Sequence, residues 1–158
     1  MFMMPFKFVF RCCLVAAFMV PLYGCEWVMS DNTKVDLRLI AKSDLNLDDE
    51  GRPSPLVVRI VELKASQSFE STGFFALYGD EKDTLGSDLV ASEEIELKPG
   101  DIKDLKIALQ PGSRLIGIYA AYRRLDEANW RMILPFSLNQ NNQRTILLGA
   151  KGLAVATR

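Results

Sequence analysis

Val35-Asp36-Leu37-Arg38-Leu39-Ile40-Ala41-Lys42 sets Val35, Leu37, Leu39 and Ala41 against Asp36, Arg38 and Lys42 in strict alternation. Successive side chains of a strand point to opposite faces, so this period of two specifies a strand with one face in a core and one in water. Downstream, Ser43 to Pro55 is rich in Asp, Asn, Gly and Pro and reads as a long loop. Leu56 to Leu63 returns as a second strand. Its Val57, Val58, Ile60 and Val61 put apolar bulk on both faces, which suits a strand inside a sheet or one broken by a bulge. The period then changes. Phe69, Phe74, Phe75, Leu77 and Tyr78 fall near helical spacing, Ser66 and Ser68 are candidate N-caps, and Gly73 divides the segment into two short helices. Asp80 to Ser87 follows as a loop.

Short alternating segments fill the rest. Ile95 and Leu97 lead to a Pro99-Gly100-Asp101 turn; Leu105, Ile107 and Leu109 lead to Pro111-Gly112. Leu115 to Tyr122 is the most apolar strand and is expected at a sheet centre. Trp130, Met132, Leu134 and Phe136 share one face of the next, and Pro135 on the other face marks an edge or a strand end. A polar turn, Asn139 to Gln143, precedes strands at Thr145–Leu148 and Leu153–Thr157, with Gly149 to Gly152 between them. Eight strands with closely spaced turns and one helical insertion after the second strand predict a mainly β fold, an antiparallel two-sheet β-sandwich.

The N-terminus carries a different signal. Lys7 and Arg11 are the only charges before an apolar run, Cys12 to Leu22, that ends in Leu22-Tyr23-Gly24-Cys25. The run is about half the ~20 residues of a membrane span, and its layout is that of a secretory signal. The L-x-G-C ending resembles the bacterial lipobox, in which the cysteine is lipidated and becomes the first residue of the mature protein. An ordinary signal peptide or a short uncleaved anchor is the plainer alternative. The expected organisation is a signal peptide over 1–24, a lipidated tether over 25–32 and the sandwich domain over 33–158. Removing 24 of the 158 residues leaves 134, enough for one domain.

Composition narrows the chemistry. Cys12, Cys13 and Cys25 are the only cysteines, so the mature domain has no thiol left for a disulfide. Histidine is absent, which removes the commonest general base and metal ligand and excludes Ser-His and Cys-His catalysis. Loss of Lys7 and Arg11 with the signal takes the net charge from −1 to −3, with no basic excess for nucleic acid. Glu93-Glu94 face opposite ways on a strand, and Asp126-Glu127 lies in a turn, so neither pair forms an acid–base site. No cofactor, metal, catalytic residue or small-molecule substrate is expected.

The first loop holds the candidate site. Asp44, Asn46 and Asp48 open it like a calcium loop, but Asp49 stands where the sharp-turn Gly is needed and Pro55 where the bidentate Glu should be. A solvated acidic loop leaves Leu45 and Leu47 unexplained. Long loops are disproportionately functional, which points to partner binding, with Leu45 and Leu47 as apolar anchors and Asp48, Asp49 and Glu50 steering a basic patch. The aromatics at Phe69, Phe74, Phe75 and Tyr78 read as the packing face of the helical insertion, and Arg123-Arg124 as a solvated strand end.

Several segments together are similar to a known family. They are the lipobox, Gly51-Arg52-Pro53-Ser54-Pro55-Leu56-Val57-Val58-Arg59-Ile60, Phe74-Phe75-Ala76-Leu77-Tyr78, Leu97-Lys98-Pro99-Gly100, and Ile116-Gly117-Ile118-Tyr119-Ala120-Ala121-Tyr122-Arg123. The chain resembles the outer-membrane lipoproteins of type VI secretion systems (the TssJ, VasD or SciN family). That resemblance implies a transthyretin-like sandwich, no enzymatic activity, and binding to the periplasmic C-terminal domain of the inner-membrane subunit TssM. It also implies that the contact is made by the first inter-strand loop, here Asp44, Leu45, Asn46, Leu47, Asp48, Asp49, Glu50, Gly51, Arg52, Pro53 and Ser54. Glu26 follows Cys25, rather than the Asp that typically retains such lipoproteins in the inner membrane, so the outer membrane is the expected location, with the domain facing the periplasm. The alternative is a stand-alone lipoprotein facing the periplasm, a chaperone or inhibitor unrelated to secretion.

Overall fold

The computed structural model describes residues 33–156, so the expected signal peptide, Cys25 and the expected tether lie outside the described residues. Eight strands form two four-stranded sheets. The alternating first segment is β1 (Lys34–Ala41); β2 (Leu56–Leu63), β3 (Leu89–Leu97) and β4 (Ile102–Ala108) follow. Then come β5 (Leu115–Ala120), β6 (Arg131–Pro135), β7 (Asn141–Gly149) and β8 (Gly152–Val155). One sheet is ordered β4-β1-β7-β8 and the other β3-β2-β5-β6. The inward row of β1, Val35, Leu37, Leu39 and Ala41, is at most 2% exposed, as its alternation requires.

Five of the six pairings are antiparallel, but β1 and β7 run parallel from Lys34↔Asn141 to Ala41↔Leu148. A parallel pair needs a long crossover, and the whole chain from β2 to β6 supplies it. β2 lies between β3 and β5 and shifts register at Glu62/Leu63, so it is both an interior and an irregular strand. β6 is an edge strand that ends on exposed Pro135. Opposite it, the backbone of Asn129 bridges to Gly152 and stitches the β6 side of one sheet to β8 of the other. A Cβ at Gly152 would fall 2.4 Å from the Asn129 backbone, and its φ of +102° is one that glycine alone adopts readily.

Three short helices, α1 (Gln67–Ser71), α2 (Phe74–Gly79) and α3 (Glu81–Leu85), cover the outer face of the β2–β5 sheet. Two were expected. The third replaces part of the Asp80–Ser87 loop because the Asp80 side chain caps it, accepting from the Asp83 amide at 3.2 Å. Ser66 does hold the N-cap position of α1, but its hydroxyl donates to Glu70 at 2.7 Å rather than capping the backbone. Ser68 lies inside that helix and donates to Asp88.

Phe69 and Leu77 are fully buried against the outer face, beside Tyr119 and Val61. Gly117 makes room: a Cβ there would lie 2.8 Å from Val61 Cγ2 and 3.0 Å from the Phe69 ring. Two arginines fasten the insertion. Arg59 donates to Glu94 at 2.7 Å, to the Tyr78 carbonyl at 3.1 Å and to the Tyr119 hydroxyl at 3.2 Å, and stacks on the Tyr78 ring. Arg131 donates to the carbonyls of Phe69 and Thr72 at the end of α1. Phe74 and Tyr78 stack on each other, Phe74 meets Trp130 edge-on at 5.4 Å, and Phe75 alone projects into solvent.

Candidate functional site

The chain enters β1 at Thr33, and the 42–55 loop leaves its far end. Eight strand residues at about 3.3 Å each put the two ends roughly 25 Å apart. The β3–β4, β5–β6 and β7–β8 connections share the loop's end. Gly100 donates to the Ala41 carbonyl and Lys42 to the Leu148 carbonyl, and the Arg123 amide reaches Asn46.

The loop is built by its own polar side chains. Asn46 sits at φ 47°, tolerated by its short amide, and is 4% exposed. Its Nδ2 donates to the Pro55 carbonyl at 2.7 Å, and its Oδ1 accepts from the Arg123 amide at 2.9 Å. The Asp48 carboxylate accepts from the amides of Glu50 and Arg52 at 3.0 and 2.8 Å and from Arg52 Nε at 2.8 Å. Those bonds, led by the Arg52 amide, hold its pKa below the usual carboxylate value. Backbone bonds from Asp48 to the Arg52 carbonyl and from Ser54 to the Leu45 carbonyl close the base, and Gly51, at φ +76°, makes the tip turn.

This geometry divides the eleven candidate residues. Leu45 was expected as an exposed anchor, yet it is fully buried in the main core. The turn over Ser43–Asn46 tips it inward between the sheets, so it holds the fold and is closed to a partner. Asn46 and Ser54 are buried as well. Asp48 was expected to steer a partner, but its side chain is only 13% exposed and is spent on the loop itself. What remains outward is half-buried Leu47 with Asp49, Glu50, Gly51, Arg52 and Pro53, together with half-exposed Asp44, 3.8 Å from Lys42. Asp49 is 95% exposed, with Arg124 at 3.7 Å, and Glu50 pairs with Arg52 at 2.9 Å. Exposed pairs of this kind hold little energy and exchange readily with a partner's charges.

Sequence reasoning missed the neighbours. Asn46, Leu47, Tyr122, Arg124, Glu127, Ala150 and Lys151 line a cavity of about 300 Å³ at the loop base. The Tyr122 hydroxyl and Asp44 Oδ1 are buried without a protein partner. Burial, and secondarily the Asp44 charge, push the Tyr122 pKa up. Among the described residues no cluster of three or more potential metal ligands forms, and no helix is long and apolar enough to cross a membrane. The opening resemblance to a calcium loop does not survive: Asn46 and Asp48, two of its three ligands, are spent on the loop's own backbone and Arg52.

The structure is thus a two-sheet sandwich with a hydrogen-bonded loop at one end. Residues 33–151 match the family of type VI secretion lipoproteins (SciN, VasD, EvfM, TssJ), and the chain belongs to that family. Among solved structures it is similar to the type VI secretion lipoprotein TssJ1 from Pseudomonas aeruginosa. Identity is 35% and the TM-score 0.78, over 80% of this chain and 97% of that one. Serratia marcescens Lip, a membrane-bound component of the type VI secretion system, matches at 26% identity and a TM-score of 0.73, over 78% and 97% of the two chains. A chain of a type VI membrane complex matches at 26% identity and a TM-score of 0.71, over 78% and 98%. No curated protein matches by sequence. Family membership removes the alternative of a lipoprotein unrelated to secretion.

Proposed function

We propose that the protein is a structural, non-catalytic component of the type VI secretion membrane complex, anchored in the outer membrane by lipid on Cys25. Its 44–54 loop docks on the periplasmic C-terminal domain of a TssM-like inner-membrane subunit. The observation that carries this is the loop itself: held in shape by its own hydrogen bonds, with Leu47, Asp49 and Glu50 outward, at the end of the domain opposite Thr33. A preordered loop gives up little conformational entropy on docking. Leu47 supplies the apolar contact, and Asp49 and Glu50 draw in a basic surface. More than one acyl chain on Cys25 gives stable anchoring, and the short tether keeps the domain near its membrane.

Membrane fractionation with co-purification tests both halves. The wild-type protein is expected in the outer membrane together with the TssM-like subunit. Cys25→Ser should leave the membrane yet still bind the partner's periplasmic domain. Retention of Cys25→Ser in the outer membrane would refute the anchor, and failure of the wild type to co-purify would refute the partner.

A further inference from the structure

The chain enters the domain at Thr33, at the end opposite the 42–55 loop. Thr33–Lys34, Lys64, the 109–114 turn and the 136–140 turn meet there. Bonds from Leu109 and Asn139 to Thr33 at 3.1 and 3.0 Å, and from Arg114 to the Leu63 carbonyl at 2.8 Å, join them. These segments contain Lys34, Lys64 and Arg114, all exposed, and no carboxylate. Glu62 beneath them is buried and spent on the Gln110 amide and the Ser113 hydroxyl, at 2.8 and 2.6 Å. Three acids flank this end and are each engaged locally: Asp36 accepts from Asn141, Glu70 from Ser66, and Asp88, whose carbonyl takes the Lys64 amide at 2.9 Å, accepts the Ser68 hydroxyl on its carboxylate. At the opposite end acids and bases mix and pair, as in Lys42–Asp44, Arg52–Glu50 and Arg124–Glu127. Among the described residues Lys34, Lys64 and Arg114 make no ion pair, so their charges remain available to an outside anion.

Leu138 is 41% exposed at the tip of the 136–140 turn. The turn is built to hold it there. Buried Asn142 accepts from the Ser137 amide at 2.8 Å and donates to the carbonyls of Ser137 and Gln140 at 2.9 and 3.2 Å. Asn139 next to it takes a φ of 56° and donates its amide to Thr33.

We infer that this end is a membrane-resting face, with Leu138 entering the lipid interface and Lys34, Lys64 and Arg114 set against anionic lipid phosphates. The inference rests on the proposed lipidation of Cys25. Seven residues separate Cys25 from Thr33, a reach of about 25 Å at most, and the chain emerges in the middle of this surface. Lipid on Cys25 therefore holds this end against the bilayer, and juxtamembrane Lys and Arg are attracted to its negative surface charge. The contact fixes the domain's orientation and aims the 44–54 loop away from the membrane.

The cysteine inventory makes the test clean. Cys12 and Cys13 leave with the signal and Cys25 is acylated, so Leu138→Cys adds the one reactive thiol of the mature lipoprotein. An environment-sensitive dye is placed there, or at Asp126→Cys on the opposite end, in the lipidated protein on phosphatidylethanolamine–phosphatidylglycerol vesicles. The dye at 138 is expected to shift to the blue and be quenched by nitroxide-bearing lipids several-fold more than the dye at 126. Combined Lys34→Glu, Lys64→Glu and Arg114→Glu should remove most of that difference. Equal quenching at both positions on vesicle-bound protein would overturn the face while leaving the anchor intact. Protein that fails to float with vesicles would overturn the anchor itself.

Discussion

Leu45→Ala separates a core residue from a loop residue in one substitution. Leu45 lies in a segment whose composition is that of a surface loop, yet its side chain is fully buried in the same cluster as the inward rows of both sheets. Truncating a fully buried Leu costs about 2–5 kcal/mol, the lost transfer energy plus the cavity left behind. An ordinary surface position costs within about 0.5 kcal/mol. With a urea m-value of about 1–3 kcal/mol/M for a domain of this size, the unfolding midpoint should fall by roughly 1–2 M. Half-buried Leu47 is the internal control, and Leu47→Ala should move the midpoint by a small fraction of that. Trp130, edge-on to Phe74, offers a fluorescence reporter for the titration. A Leu45→Ala midpoint equal to wild type, or a larger shift for Leu47→Ala, would refute the placement of Leu45 in the core.

Tyr122→Phe removes a buried hydroxyl that has no protein partner, so it should be neutral or stabilising by about 1 kcal/mol in the same titration. Gly117→Val drives a side chain into Val61 and Phe69 and should destabilise by about 1–3 kcal/mol, with the helical insertion loosening first in hydrogen exchange. The Asp48 pKa is depressed in the folded loop, so its contribution is complete above the ordinary Asp value of about 3.9 and fades as the pH falls through the lower folded value. The protection of the Glu50 and Arg52 amides, measured against their intrinsic exchange rates, should therefore fall on acidification in that window, and Asp48→Asn should show the lower protection already at neutral pH.

Periodicity made most of the fold legible. The alternation of β1, the apolar run of β5 and the outward Pro135 of β6 each identified a strand and its setting, because burial of one face leaves a period in the sequence. Direction and partner leave none, so the parallel pairing of β1 with β7 could not be read. The third helix escaped because Glu81-Lys82-Asp83-Thr84 has no apolar stripe; Asp80 as its cap was the available signal. At the candidate site the loop's length and its two leucines were readable, but not which leucine turns inward. Nor could composition show that Asp48 is spent on Arg52, or that Arg123 meets Asn46 across 77 residues of sequence.

Titration of the soluble domain, residues 26–158, with the periplasmic C-terminal domain of the cognate TssM-like subunit tests the proposed docking most directly. Leu47→Asp places a charge at the proposed apolar contact. A loss on the order of 2 kcal/mol, about 30-fold in Kd, is expected with the urea midpoint nearly unchanged. Wild-type affinity in a folded Leu47→Asp protein would contradict docking through this loop.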